Sequence, residues 1–336
     1  MYKYDLGNQS AGDVSILSLP VLNKNLAVPA TKTVQMINDE RKGTAMQNTC
    51  ELCGSTSLNH MPGTQMTECL SCAIQYPREI PTSGIVMNQA PISPSGRGTL
   101  LARAQAKLVS KVNNRQCLVD LGCGNGAFLH AFRQHHNNNC RIIGVELDKL
   151  SANAARAAGI TVAEEVPRDL TDAMITMWHV AEHFPVHELK LELTKLSQGN
   201  NLLLVSVPNG NSHSWKKHHE KFSFYDSKSH MVQYTPTSLN KLLQDSGWDI
   251  QQKFRTPVYG IFNAIQTGMN LTRPHNEVYN SIKREGKSFS ISLISRNLFA
   301  AIRAIIPILS MMIHEVSKER CSSFTVLATT RKLQCD

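Results

Sequence analysis

The chain has 336 residues, 41% hydrophobic and 18% charged, an ordinary globular composition rather than that of a disordered chain, and long enough to bury a full α/β core with one or two small additions. The formal net charge is +9, but residues 251–336 hold twelve Lys/Arg against five Asp/Glu, so +7 of it lies in the last quarter. A local basic excess of this kind suits a membrane surface, a phosphorylated substrate, nucleic acid or simply a solvated face.

The opening MYKYDLGNQS lacks an apolar signal-peptide core, so a cytoplasmic location is the expectation. Residues 1–45 show no sustained period of 2 or 3.6 and read as an irregular arm. Next comes CELCGSTSLNHMPGTQMTECLSC, where Cys50 and Cys53 form one CxxC pair and Cys69 and Cys72 another, with fifteen residues between the pairs. Each pair can present two thiolates from one turn, so residues 46–78 are expected to fold around a tetrahedral structural zinc. A Pro/Ser/Gly-rich linker spans 79–98.

TLLARAQAKLVSKV then reads as a helix leading into the apolar strand CLVDL, Cys117–Leu121. Gly122, Gly124 and Gly126 follow, and AFLHAF resumes at helical spacing, so LVDLGCGNG is a strand, a tight turn and a helix start. The third glycine comes one residue early for a dinucleotide fingerprint, and no Lys-Ser or Lys-Thr follows to make a P-loop. Asp120 at the strand tip would repel a pyrophosphate but attract an ammonium or sulfonium group. S-adenosylmethionine carries both.

Further strands are expected at RIIGVEL (141–147), ITVA (160–163), DAMITMW (172–178) and NLLLVSV (201–207), separated by helices that include KLSANAARAA and HELKLELTKL. The alternation predicts an α/β fold, a doubly wound, mostly parallel seven-stranded sheet with its ligand at the carboxyl ends of the strands. TPTSLNKLLQDSG is expected to be a helix capped by Thr235 and stopped by Gly247, with WDIQQKF and SSFTVLATTRK as the last two strands. The core is therefore placed at 99–256, a helical insert or lid at 257–320, and the final strand and tail at 321–336.

The insert contains LFAAIRAIIPILSMMI, residues 298–313, interrupted by Arg303 and Pro307 and too short to span a bilayer. With Arg296, Arg303, Lys318 and Arg320 around it, the segment 296–316 suits a peripheral contact with an anionic membrane, a cover over a long apolar substrate, or a buried lid or homodimer helix.

The order of motifs resembles the class I S-adenosylmethionine-dependent methyltransferases, in the branch of the ubiquinone-pathway O-methyltransferases and many sugar and natural-product enzymes. The resemblance covers residues 100–250 and rests on VDLGCGNG, the acidic end of IIGVEL, DAMITMWHVAEHF, SVPNG and SHMVQYTPTSLNKLLQDSGW. It implies that Asp120, Gly122, Gly124 and Gly126 line the methionine end of the cofactor and that Glu146 accepts the ribose hydroxyls. Trp178 and His179 would close over it near the methyl group, with Glu164 or Glu165 beside the adenine. His183 is the first candidate for general base and His230 the second, because methyl transfer needs alignment and removal of a proton.

His179, Glu182 and His183 at i, i+3 and i+4 are also expected to share a helix face, with a donor set that favours zinc, iron or manganese over magnesium if it holds a metal. The implied acceptor is a small or lipid-linked molecule, a hydroxyl of a sugar, glycolipid or quinone-like intermediate. The alternative is RNA gripped by the zinc module and basic insert, although the chain lacks the Asn/Asp-Pro-Pro-Tyr/Phe and Pro-Cys motifs of base methylation.

Overall fold

Five apolar runs lie side by side as parallel strands: β4 (Cys117–Leu121), β5 (Arg141–Val145), β6 (Thr161–Ala163), β7 (Ala173–Trp178) and β8 (Leu202–Pro208). β8 is buried along its whole length and β7 up to its last residue, which is why both read as unbroken apolar segments rather than alternating ones. The computed structural model describes residues 48–79, 97–135, 140–167, 169–226, 229–255, 257–272, 291–317 and 320–331. In it, β9 (Trp248–Arg255) and β10 (Ser323–Thr330) complete a seven-stranded sheet in the order β6-β5-β4-β7-β8-β10-β9. β10 runs antiparallel to both β8 and β9.

The two faces of the sheet bury alternate residues of the same strands, as the pleat requires. On one face Leu118, Met174 and Leu204 pack with Ala102, Ala106 and Val109 of α1 (Arg97–Val112) and Phe128, Leu129 and Phe132 of α2 (Ala127–His135). On the other, Val119, Ile175 and Leu203 meet Leu189 and Leu193 of α4 (Val186–Leu196) and Leu239 and Leu242 of α6 (Pro236–Asp245). α3 (Lys149–Ala157) starts at Asp148, whose carboxylate accepts from Ser151 N. α6 begins in a capping box, with Thr235 Oγ1 accepting from Ser238 N and Ser238 Oγ from Thr235 N.

The cysteine-rich segment forms a small antiparallel sheet, β1 (Leu58–His60), β2 (Met66–Cys69) and β3 (Gln75–Pro77). Leu52, Cys72 and Ile74 belong to the same apolar cluster as Val119, Leu239 and Trp248. The segment therefore borrows the core of the large domain.

After β9 the chain forms α7 (Pro257–Thr272) and the 24-residue α8 (Ile291–His314), which carries Pro307 in its interior. The pair is antiparallel, with Gly260 beside Glu315 and Gly268 beside Ile308. Among the described residues no helix is long and apolar enough to cross a membrane. The outward side of α8 nevertheless leaves Ile305, Ile306, Leu309, Ile313 and, just beyond it, Val316 exposed. The expected arm 1–45, residues 80–96 of the linker, the side chain of Arg296 and Lys318 lie outside the described residues.

Candidate functional site

The carboxyl ends of β4, β5 and β7 converge on the glycine turn. Gly122 takes φ 68° and packs against Val180, so closely that a Cβ would lie 2.6 Å from its Cγ2. A side chain there is excluded twice over, by backbone conformation and by contact. Beside the turn, Glu146 Oε2 accepts from Gly124 N at 2.8 Å and Oε1 accepts from Asp148 N at 2.8 Å. The carboxylate thus ties the tip of β5 to the middle of the turn and sets both at one edge of the site.

Asp120 lies beneath the turn rather than on its surface. It is 2% exposed and accepts a hydrogen bond from Thr176 Oγ1 on β7 at 2.7 Å. Burial pushes its carboxyl up to about 8, against the lowering effect of Thr176 and with a further push from Glu146. Trp178, at the end of β7, meets Phe128 edge-on at 5.4 Å, and its indole N–H is buried without a hydrogen-bond partner. Glu164 and Glu165 follow β6 and are both exposed.

His179 does not share a helix face with Glu182 and His183, contrary to the i, i+3, i+4 expectation. It takes a left-handed φ of 57°, and only Ala181–His183 form a helical turn, of the 3-10 type. The residue instead turns back over the sheet, its N–H donating to Ser206 O at 2.8 Å. Its ring stacks on Tyr259 of α7 at 4.7 Å and lies 5.0 Å from Phe224. Ser323 Oγ donates to Val207 O, so it receives the His179 Nε2–H at 3.1 Å. That leaves Nδ1 without a proton, 3.5 Å from Glu182 Oε1. Burial, aided by His230 and His183, lowers the imidazole to about 3, so this contact is not an ion pair.

The residues that do come together are Glu182, His183 and His230. Glu182 is 1% exposed, neither carboxyl oxygen has a hydrogen-bond partner, and burial pushes it up to about 8. His183 donates Nδ1–H to Ser229 O at 3.1 Å, which leaves Nε2 with a free lone pair. Its ring meets that of His230 edge-on at 4.8 Å. Burial lowers both imidazoles, His230 to about 3 with His183 adding to the effect. The site therefore presents two neutral bases beside a carboxyl that keeps its proton at neutral pH. One atom from each residue lies within 4.8 Å of the others, the donor set this chain offers a divalent ion in place of the face through His179.

At the small sheet, Cys50 and Cys72 Sγ stand 3.6 Å apart and Cys53 and Cys69 Sγ 3.5 Å, and all four sulfurs lie within 4.8 Å of one another. A tetrahedron with zinc–sulfur bonds of about 2.3 Å has edges of about 3.8 Å, so the four fit a zinc ion. Burial raises the Cys69 thiol, but backbone N–H groups of Cys72 and Ser71 outweigh it and hold it at about 7. Burial pushes Cys53 and Cys72 up instead, so a metal bound there would displace their protons.

Sequence reasoning does not mark Thr176, Phe224, Tyr259 and Ser323 as site residues. Thr176 stood inside the quoted strand DAMITMW, where a hydroxyl in an apolar run is a signal; Ser323 and Tyr259 carry none.

Residues 95–253 match the family of methyltransferase domains. No curated protein matches the chain. Among solved structures, a SAM-dependent methyltransferase from Archaeoglobus fulgidus is 14% identical, covering 70% of this chain and 95% of its own at a TM-score of 0.44. Coclaurine N-methyltransferase bound to N-methylheliamine and SAH is 12% identical, covering 73% and 76% at 0.44. Magnesium protoporphyrin IX methyltransferase from Synechocystis, with bound SAH, is 14% identical, covering 50% and 84% at 0.39. At these scores the likenesses add no weight of their own, and the functional assignment rests on the domain match and the strand-tip geometry.

Proposed function

We propose that this S-adenosylmethionine-dependent methyltransferase methylates a hydroxyl of a small acceptor, a sugar, a glycolipid or a quinone-like molecule, with His183, and His230 as the second candidate, receiving the proton. The observation that carries the reading is the buried imidazole pair. His183 has its tautomer fixed by Ser229 O, so Nε2 is the basic atom, and both rings are neutral at physiological pH. A hydroxyl must lose a proton as it gains a methyl group, which calls for such a base.

The turn Gly122–Gly126, Glu146 and the free indole N–H of Trp178 would hold the cofactor, Asp120 would support the turn from beneath through its bond to Thr176, and Val180 closing on Gly122 would give the turn its fixed shape. Bound there, S-adenosylmethionine supplies a methyl carbon already activated by a positive sulfur. What remains for the protein is alignment, exclusion of water and removal of the proton. Phe224 and Tyr259, packed on His179, wall the tip of β7 against solvent. The exposed isoleucines of α8 favour an acceptor that is itself amphiphilic or lipid-linked, met at a membrane surface.

The test is transfer of labelled methyl from S-adenosylmethionine to cell extract separated into lipid, soluble-metabolite and RNA fractions. Label is expected in the lipid or metabolite fraction and to be lost with His183→Ala. Label confined to RNA would overturn the reading in favour of the zinc module and basic insert acting as an RNA grip.

A further inference from the structure

The small cysteine sheet touches the acceptor side of the site through Gln75 and Met66. Gln75, 1% exposed, stands at the start of β3, directly after the left-handed Ala73 and the buried Ile74 that follow Cys72. Its backbone pairs with Gln233 in both directions, Gln75 N donating to Gln233 O at 3.2 Å and Gln233 N to Gln75 O at 2.8 Å. Its side-chain oxygen accepts from Trp215 Nε1 of α5 (His213–His218) at 2.9 Å. Its side-chain nitrogen donates to Gly210 O and to Glu68 Oε1, each at 3.1 Å.

Gln233 belongs to the segment that carries His230. On its other edge this segment is tied to the base cluster, Met231 N donating to Glu182 O at 2.9 Å. His230 is thus held between two anchors, the Glu182 backbone and Gln75. Gly210 completes the arrangement: its N–H donates to Tyr234 O, and a Cβ there would lie 2.9 Å from Gln75 Oε1 and 3.0 Å from Gln233 Cγ. Below the clamp, Met66 of β2 packs with Trp215 and Phe222, and Tyr225 donates its hydroxyl to Met66 Sδ at 3.5 Å. Tyr225 in turn meets His230 edge-on at 6.3 Å.

From this juxtaposition we propose that Gln75 is a positioning residue for the methyl-transfer site, through which the zinc-bearing sheet fixes the segment 229–235 and so places His230 against His183. The inference rests on the reading of the histidine pair as the acceptor-side base, but its mechanical content concerns only the segment. The sheet is then part of the acceptor site, and the metal governs that side of the enzyme without touching the cofactor side. Glu146 and the glycine turn lie on other strands and share no hydrogen bond with Gln75 among the described residues.

The full-length zinc-loaded protein tests this by amide hydrogen exchange read by mass spectrometry, together with calorimetric binding of S-adenosylhomocysteine, metal analysis and the imidazole resonances of His183 and His230. Gln75→Leu fills the same space but leaves Trp215 Nε1 and Gly210 O unpaired. Exchange over 229–235 is expected to rise by about tenfold or more, as local opening becomes easier. The His230 resonance should move, zinc should stay at one per chain, and S-adenosylhomocysteine affinity should hold within about twofold, as for an uncoupled site.

The Cys69→Ser/Cys72→Ser double variant, stripped of zinc, should give the same loosening of 229–235 with the same retained affinity. Unchanged exchange over 229–235 in both variants would overturn the proposal. So would loss of S-adenosylhomocysteine binding in step with the loosening, because the effect would then be global unfolding. Failure of His183 as base would appear in methyl transfer by His183→Ala and would leave these readouts where they are.

Discussion

Replacing Glu182 with Gln should stabilise the protein at neutral pH, by an amount that depends on pH in a defined direction. The fold buries this carboxyl with neither oxygen hydrogen-bonded and pushes it from an ordinary 4.5 to about 8. Between those values the unfolded chain releases the proton and the folded chain keeps it, so stability falls as pH rises through that window. Below it both states are protonated and the penalty vanishes. Each pH unit is worth about 1.4 kcal/mol, so the interval from 4.5 to 7 makes the penalty roughly 3 kcal/mol at pH 7.

Glutamine has nearly the same shape and does not titrate, so the variant should recover most of that amount at pH 7 and almost none at pH 4. Asp120 is also pushed up to about 8 by burial, but it is present in both proteins and cancels from the difference. Urea denaturation of the two proteins from pH 4 to pH 7, without added metal, measures it. The gap should open by about 1.4 kcal/mol per pH unit above pH 5 and correspond to roughly 4 °C in Tm at pH 7. Parallel stability curves would refute the reasoning, because they would mean that Glu182 ionises in the fold as easily as out of it.

Two further outcomes are expected. Glu146→Ala removes the acceptor of the Gly124 and Asp148 N–H groups and the carboxylate proposed to hold the cofactor, so calorimetry should show S-adenosylmethionine binding weakened by roughly 1–3 kcal/mol; unchanged affinity would mean the cofactor lies elsewhere. Ile306→Lys with Ile313→Lys places charge on two isoleucines of α8 that are 79% and 71% accessible, and should greatly reduce co-sedimentation with vesicles containing anionic lipid, since apolar insertion is lost even though positive charge is gained. Equal or stronger sedimentation of that variant would show that charge alone drives the association.

Much of the architecture was legible because it is governed by short-range rules. The helix at Thr235 announces itself by its cap, Pro236 and Gly247, and it forms as Pro236–Asp245 with the capping box in place. The glycines after Leu121 mark a turn that needs positive φ, and Gly122, Gly124 and Gly126 all adopt it. Two CxxC pairs at that separation mark a four-sulfur cluster, and the four sulfurs do lie within 4.8 Å of one another. The same style of reasoning failed at His179, where i, i+3, i+4 spacing was read as a helix face. Helical spacing binds side chains together only if the backbone is helical, and the chain leaves β7 with a left-handed residue before its first turn of helix.

What the sequence by itself determined is therefore the set of local devices: strand, glycine turn and helix start, acids near the tips of β4 and β5, and a cysteine cluster at its fixed spacing. The tertiary structure decided which of these stand near one another. His183 and His230 meet because the segment before α6 folds back along Glu182. Gln75 reaches Gln233 and Trp215 because the small sheet has too little apolar surface for a core of its own and must dock. Ser323 and Tyr259 reach His179 because β10 enters between β8 and β9 after the long insert that carries α7. No periodicity encodes those encounters. They follow from sheet order and from burial of apolar surface contributed by segments far apart in the chain, which acts over the whole molecule and leaves no local mark on the residues it brings together.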